Sequence, residues 1–107
     1  MKIGIDILEI RRIRDKLRKN SSLENKLFTD YEKQYCRKFS DPYPHFAVTF
    51  AAKEAFIKCI GKNPGWKKIE IRREEAPYVV FEGRKVNGSL SLAHSETSAV
   101  AVFLLLE

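Results

Sequence analysis

A chain of 107 residues is expected to form one domain, 1–107, small enough that oligomerisation would help to stabilise it. A hydrophobic fraction of 44% beside 32% charged residues excludes a disordered chain, and the longest apolar run, 99–106, falls far short of the about 20 residues that a membrane-spanning helix needs. The net charge of +6 calls for an anionic partner, whether nucleic acid, membrane surface, phosphorylated ligand or acidic protein. The N-terminus lacks the basic-then-apolar pattern of a signal peptide, so a cytoplasmic location is expected, with Cys36 and Cys59 as reduced thiols.

Residues 2–8 alternate, with Ile3, Ile5 and Ile7 on one face and Gly4, Asp6 and Leu8 on the other, which predicts a strand. The period then changes. Ile10, Ile13 and Leu17 recur at helical spacing and predict a helix over 10–19. Its remaining surface carries Arg11, Arg12, Arg14, Lys16, Arg18 and Lys19 against Asp15 alone. Ser21 with Glu24, and Thr29 with Glu32, have capping-box spacing and predict short helices near 22–27 and 30–39. Pro44 suits the start, and Gly61 the end, of the longest helix, about 44–60.

The second half is strand-like. Segments 66–73 and 78–81 are β-rich and separated by Ala76-Pro77. Glu82-Gly83 and Asn87-Gly88 are turn signals, and 89–94 with 98–106 form a predicted hairpin around 95–97. The order predicts the α+β class, with helices packed on a mainly antiparallel sheet.

Two carboxylates stand where folding alone would not put them. Aspartate is disfavoured inside strands, yet Asp6 lies between Ile5 and Ile7. It could also be a plain solvent-facing acid on an alternating strand. In the long helix, Phe50, Ala51, Ala52, Ala55, Phe56, Ile57, Cys59 and Ile60 occupy nearly the whole circumference. Glu54 and Lys58 share the narrow polar strip that remains, where they could also be a simple helix-surface pair. If Asp6 and Glu54 converge at about 5 Å, they repel by about 3 kcal/mol at an effective dielectric of 20, and a divalent cation reverses that sign. Mg²⁺ suits such a pair, since it fills its remaining positions with water and phosphate oxygens. His94, at the end of the strand 89–94, is a further candidate, although a lone histidine in such a place is more often structural.

Taken in order, five segments resemble holo-acyl carrier protein synthases. Gly4-Ile5-Asp6-Ile7-Leu8-Glu9-Ile10 resembles that family's G-I-D-I-V-E-I, and Phe28-Thr29-Asp30-Tyr31-Glu32 its F-T-x-x-E. The run 50–58 is similar to F-A-A-K-E-A-F-x-K, Ile69-Glu70-Ile71 to I-E-I, and Ser91-Leu92-Ala93-His94-Ser95 to S-L-S-H-S. The resemblance implies transfer of 4'-phosphopantetheine from coenzyme A to a serine of an acyl carrier protein. It implies Mg²⁺ on Asp6 and Glu54, with Lys58 beside the phosphates. Coenzyme A would be contacted by Lys58, Gly61, Lys62 and His94, in clefts between the subunits of a homotrimer. It also implies docking of the acidic carrier protein on the first helix, at Arg12 above all and at Arg11, Arg14 and Arg18. Neither nucleic acid nor a membrane is then a partner.

The chain departs from the family in three places. Thr49 stands where the family often has arginine, 61–65 replaces its G-T-G, and Glu75-Ala76-Pro77 replaces its Gly-Lys-Pro turn. A nucleic-acid-binding module using the basic helix would explain the charge, but it leaves Asp6 and Glu54 without a role and lacks the aromatic pattern of an RNA-binding sheet. A metal nuclease using Asp6, Glu9 and Glu54 would also fit the acidic residues, and a relative that binds carrier protein without turnover would fit the motifs.

Overall fold

In the computed structural model, which describes residues 1–106, the alternating segment Lys2–Glu9 forms β1. The first helix, α1, follows without a break at Ile10–Lys19 and buries Ile10, Ile13 and Leu17. Leu23–Leu27 is α2, Asp30–Arg37 is α3 and Tyr43–Ile60 is α4. Five strands come next: β2 (Ile69–Arg73), β3 (Pro77–Phe81), β4 (Arg84–Lys85), β5 (Gly88–His94) and β6 (Ser98–Leu105). The α+β class predicted from the sequence is the class observed. The strands make two antiparallel three-stranded sheets, ordered β1-β6-β5 and β2-β3-β4.

The core explains why α4 is apolar nearly all round. Ala51, Ala55, Phe56 and Cys59 meet Leu90, Ala101 and Phe103 of one sheet and Ile69, Ile71 and Val79 of the other. Alanines keep the helix close to both layers. The approach is tightest at Gly4, where a Cβ would lie 1.9 Å from the carbonyl oxygen of Ala55. A second cluster packs α1 on Phe28, Cys36, Phe46, Ala47, Val48 and Ala99. Gly61 ends α4 in the left-handed conformation, φ 82°, with its N–H on Ile57 O at 2.8 Å.

The capping box at Thr29 and Glu32 forms as its spacing predicts. That at Ser21 and Glu24 does not. Helix α2 has no side-chain cap, Asn20 Oδ1 instead accepts from the N–H and hydroxyl of Ser22, and Glu24 pairs with Arg37. The predicted strand 66–73 begins only at Ile69, because Trp66–Lys68 is a 3-10 turn. That turn places the Trp66 ring 4.9 Å from Phe50 and aims its carbonyl at Lys53.

Lys53 is fully buried, as is Glu32. Lys53 Nζ lies 2.7 Å from Glu32 Oε1 and donates to Leu27 O at 2.8 Å and Trp66 O at 2.9 Å. Glu32 also accepts from the N–H of Thr29 at 2.9 Å and of Ile71 at 2.7 Å. Burial pushes the carboxyl up and the ammonium down, and each charge opposes the shift of the other. The pair ties α3 and α4 to β2 and is part of the framework.

Candidate active site

Three predicted site residues share one patch. Gly4 lets β1 lie on α4, so Asp6, two residues on and on the same face, is carried to the helix. Lys58 Nζ donates to Ile5 O at 2.8 Å and to Asp6 Oδ1 at 3.3 Å. Glu54 lies one turn earlier on α4, half-buried. Its carboxyl is pushed up first by burial and then by the negative charge of Asp6, with Lys58 pulling the other way. The two carboxylates and the ammonium therefore form one electrostatic unit at the β1–α4 junction, at the edge of the first sheet.

Beside this unit lies a cleft of about 200 Å³ bounded by Asp6, Arg12, Lys16 and Phe50. It joins the acidic patch to the basic face of α1. Arg11, Arg12 and Arg18 are exposed and Arg14 is half-exposed. Arg18 leans over the ring of Tyr43, 5.0 Å from its centre. Gly61 and Lys62, both exposed, follow the C-terminal end of α4, one turn beyond Lys58.

The donors at this patch suit a hard cation. Among the described residues no group of three His, Cys, Asp or Glu side chains could enclose a metal. Asp6 and Glu54 could offer two carboxylate ligands, as many as Mg²⁺ takes when water and phosphate oxygens complete its shell. The charge of Asp6 acting on Glu54 is the kind of repulsion that such an ion relieves.

His94 lies elsewhere. Asp6 is level with Ala101 of β6, and Ala101 with Leu92 of β5, so His94 sits at the far edge of the sheet. Its ring is 5.7 Å from that of His45, which stacks on Phe39 at 3.6 Å. His45 precedes Glu54 by nine residues of α4, about 13 Å along the axis. Within one chain, His94 and the carboxylate patch are thus two separate centres.

Arg73 belongs to the second centre, beside His45, and nothing in its sequence position marks it. Cys36, buried in the same region, has its thiol pushed up to about 11, chiefly by burial, which leaves it inert. No helix among the described residues is long and apolar enough to cross a membrane.

Residues 2–103 match the family described as the 4'-phosphopantetheinyl transferase superfamily. The chain is 40% identical over 116 residues to the holo-[acyl-carrier-protein] synthase of Chlamydia caviae, covering 97% of this chain and 95% of that one. It is also 40% identical over 114 residues to that of Halothermothrix orenii, covering 92% and 91%. Among solved structures, it resembles a holo-(acyl-carrier-protein) synthase from Bacillus anthracis in complex with CoA (3',5'-ADP). The TM-score is 0.83 at 29% identity, over 97% of this chain and 94% of that chain.

Proposed function

The chain belongs to the holo-acyl carrier protein synthases of the 4'-phosphopantetheinyl transferase superfamily, an enzyme family, and from that premise we propose a reaction and a role for each site residue. The reaction is transfer of 4'-phosphopantetheine from coenzyme A to a serine of an apo-acyl carrier protein, in the service of fatty acid biosynthesis. The serine hydroxyl gives up its proton, to Glu54 or to water, its oxygen bonds to the phosphorus that bears pantetheine, and the bond from that phosphorus to 3',5'-adenosine diphosphate breaks. One observation carries the reading: Asp6, Glu54 and Lys58 meet at the β1–α4 junction.

Asp6 and Glu54 are the residues to hold Mg²⁺, which when bound supplies charge neutralisation and orientation for the diphosphate. Lys58 sets a positive charge beside the same phosphates, and its anchoring to Ile5 O limits the reorganisation needed at reaction. Phosphoryl-type transfer asks of the protein mainly positioning and electrostatics, and these side chains are of that kind. Gly61 and Lys62 extend the coenzyme A contact past the end of α4.

Arg12, which lines the cleft shared with Asp6, is the central docking contact for the acidic carrier protein, with Arg11, Arg14 and Arg18 around it. His94 contributes to coenzyme A from a neighbouring copy, because it does not reach Asp6 in its own chain. A homotrimer with shared clefts would join the two centres. The exposed isoleucine stripe of β1 favours such an assembly: Ile3, Ile5 and Ile7 are 66%, 56% and 68% exposed. The whole chain, 1–107, acts as one cytoplasmic domain, with neither nucleic acid nor membrane as partner.

The test is incubation with apo-acyl carrier protein, coenzyme A and Mg²⁺, followed by intact-mass measurement. The carrier protein gains one phosphopantetheine. An unmodified carrier protein beside a folded chain would refute the reading, and tight binding of random oligonucleotides at physiological salt would favour a nucleic-acid-binding module instead.

A further inference from the structure

Arg73 closes β2 and takes part in none of the ion pairs among the described residues. Neutral groups hold it. The hydroxyl of Tyr31 accepts from Arg73 N at 3.0 Å and donates to Arg73 O at 3.1 Å. The guanidinium lies over the ring of Tyr35, 4.4 Å from its centre, and its Nη2 donates to Thr49 Oγ1 at 2.8 Å. Thr49 spends its own proton on His45 O at 2.7 Å, so its oxygen can only accept from Arg73. Arg73 Nη1 is buried with no hydrogen-bond partner.

Other cationic or protonatable groups gather round it. Lys38 Nζ sits 4.7 Å from the centre of the Tyr35 ring, and His45 and His94 lie edge to face. His45 is held below the usual histidine range by burial, then by the positive influence of His94 and Arg73. Acids lie on the other side: Glu74 and Glu75 line a neighbouring cleft with Arg73, where Glu74 accepts from the Tyr78 hydroxyl at 2.6 Å, and Asp41, whose charge acts on His45, accepts from Tyr43 N at 3.2 Å. A cleft of about 340 Å³ lined by Tyr31, Gln34, Tyr35, Lys38 and Arg73 opens beside the guanidinium and contains no acid.

Like charges collected on neutral supports are unfavourable until an anion joins them. A buried guanidinium N–H without an acceptor is a desolvation penalty that such an anion would remove. Guanidinium suits the spread oxygens of a phosphate better than any other side chain. We propose that Arg73 is the phosphate-binding residue for coenzyme A at this second centre, flanked by His45 and His94. The inference rests on coenzyme A being the substrate. Thr49, standing where the family often has arginine, orients a guanidinium delivered from β2.

The experiment is calorimetric titration of coenzyme A into the wild-type chain, Arg73→Ala, Arg73→Gln and the double variant Arg73→Ala/Thr49→Arg, with circular dichroism to confirm folding. Removal of one charged hydrogen-bond donor predicts binding weaker by about tenfold or more in both single variants. In the transfer assay the KM for coenzyme A rises by the same factor, while kcat stays within about twofold. The double variant restores most of the affinity, because position 49 is the other route to the same place. Unchanged affinity in whichever single variant folds overturns the proposal, and so does a double variant that recovers nothing, since the loss is then one of packing. The titration needs no turnover. A wild-type chain that binds coenzyme A but modifies no carrier protein refutes the transferase reading and leaves the Arg73 comparison decisive.

Discussion

Lys58 Nζ stands 3.3 Å from Asp6 Oδ1 while also bonded to Ile5 O at 2.8 Å, so an ammonium already sits where a cation in front of Asp6 would be attracted. A divalent ion held by Asp6 and Glu54 would therefore compete with Lys58 for the Asp6 carboxylate in the absence of phosphates. We expect Lys58→Met to bind Mg²⁺ a few-fold more tightly without coenzyme A, yet to transfer pantetheine about tenfold more slowly or worse. Calorimetry of Mg²⁺ binding and an initial-rate assay check the two halves. Weaker Mg²⁺ binding in the variant would remove the competition from the account.

Glu54 links the site to stability. Its folded-state carboxyl is raised above the ordinary value of 4.5, first by burial and then by Asp6. The charged form is thus less favourable in the fold than in the unfolded chain, and stability is lost as pH rises past about 4.5 toward the raised value. Glu54→Gln removes that loss. It should leave the melting temperature unchanged near pH 3 and raise it by roughly 2 °C near pH 7.5, while abolishing transfer. Equal melting at both pH values would mean that burial does not penalise the carboxylate.

Gly4 governs how closely β1 meets α4. A Cβ there would lie 1.9 Å from a backbone oxygen, Ala55 O, so trimming side chains on the helix cannot relieve the clash. Gly4→Ala should destabilise by about 2–3 kcal/mol in urea unfolding and depress transfer more than residual folding explains, because Asp6 moves with the strand. A variant with native stability and full activity would show that this approach does not set the site.

The Glu32–Lys53 pair is fully buried, with four further hydrogen bonds to backbone groups. Lys53→Met leaves a buried carboxylate facing an apolar side chain and should cost about 3–5 kcal/mol, enough to unfold most of a small domain. Chemical denaturation measures it. A loss below about 1 kcal/mol would move the pair from framework to ornament.

Much of the fold was legible in the sequence because its signals are local. Alternation around Asp6 marks β1, apolar residues encircling Glu54 mark α4, and the Thr29–Glu32 box marks the start of α3. What was not legible depends on partners far away in the chain. A helical wheel sets Lys53 apart from the Glu54–Lys58 strip but cannot supply a buried carboxylate 21 positions earlier, whose Oε1 both caps α3 at Thr29 N and meets Lys53, while Oε2 accepts from Ile71 N. The spacing of Ser21 and Glu24 is that of a capping box, yet α2 starts one residue later, after Ser22, whose N–H and hydroxyl go to Asn20 Oδ1, and Arg37 claims Glu24. Alternation puts Ile3, Ile5 and Ile7 on one face of β1 without saying which face is buried, and they are exposed, because the Gly4–Asp6 face is the one that meets α4. Arg73 carries no motif, and only its approach to Thr49 across 24 positions shows its place.

The claim on which the mechanism turns is that Asp6 and Glu54 share one divalent ion. Mn²⁺, whose electron paramagnetic resonance reports its binding, can stand in for Mg²⁺ in a titration with coenzyme A present. The wild-type chain should bind one ion per subunit, and Asp6→Asn and Glu54→Gln, each confirmed as folded, should each weaken it by at least about tenfold. Wild-type affinity in either folded variant would contradict the account.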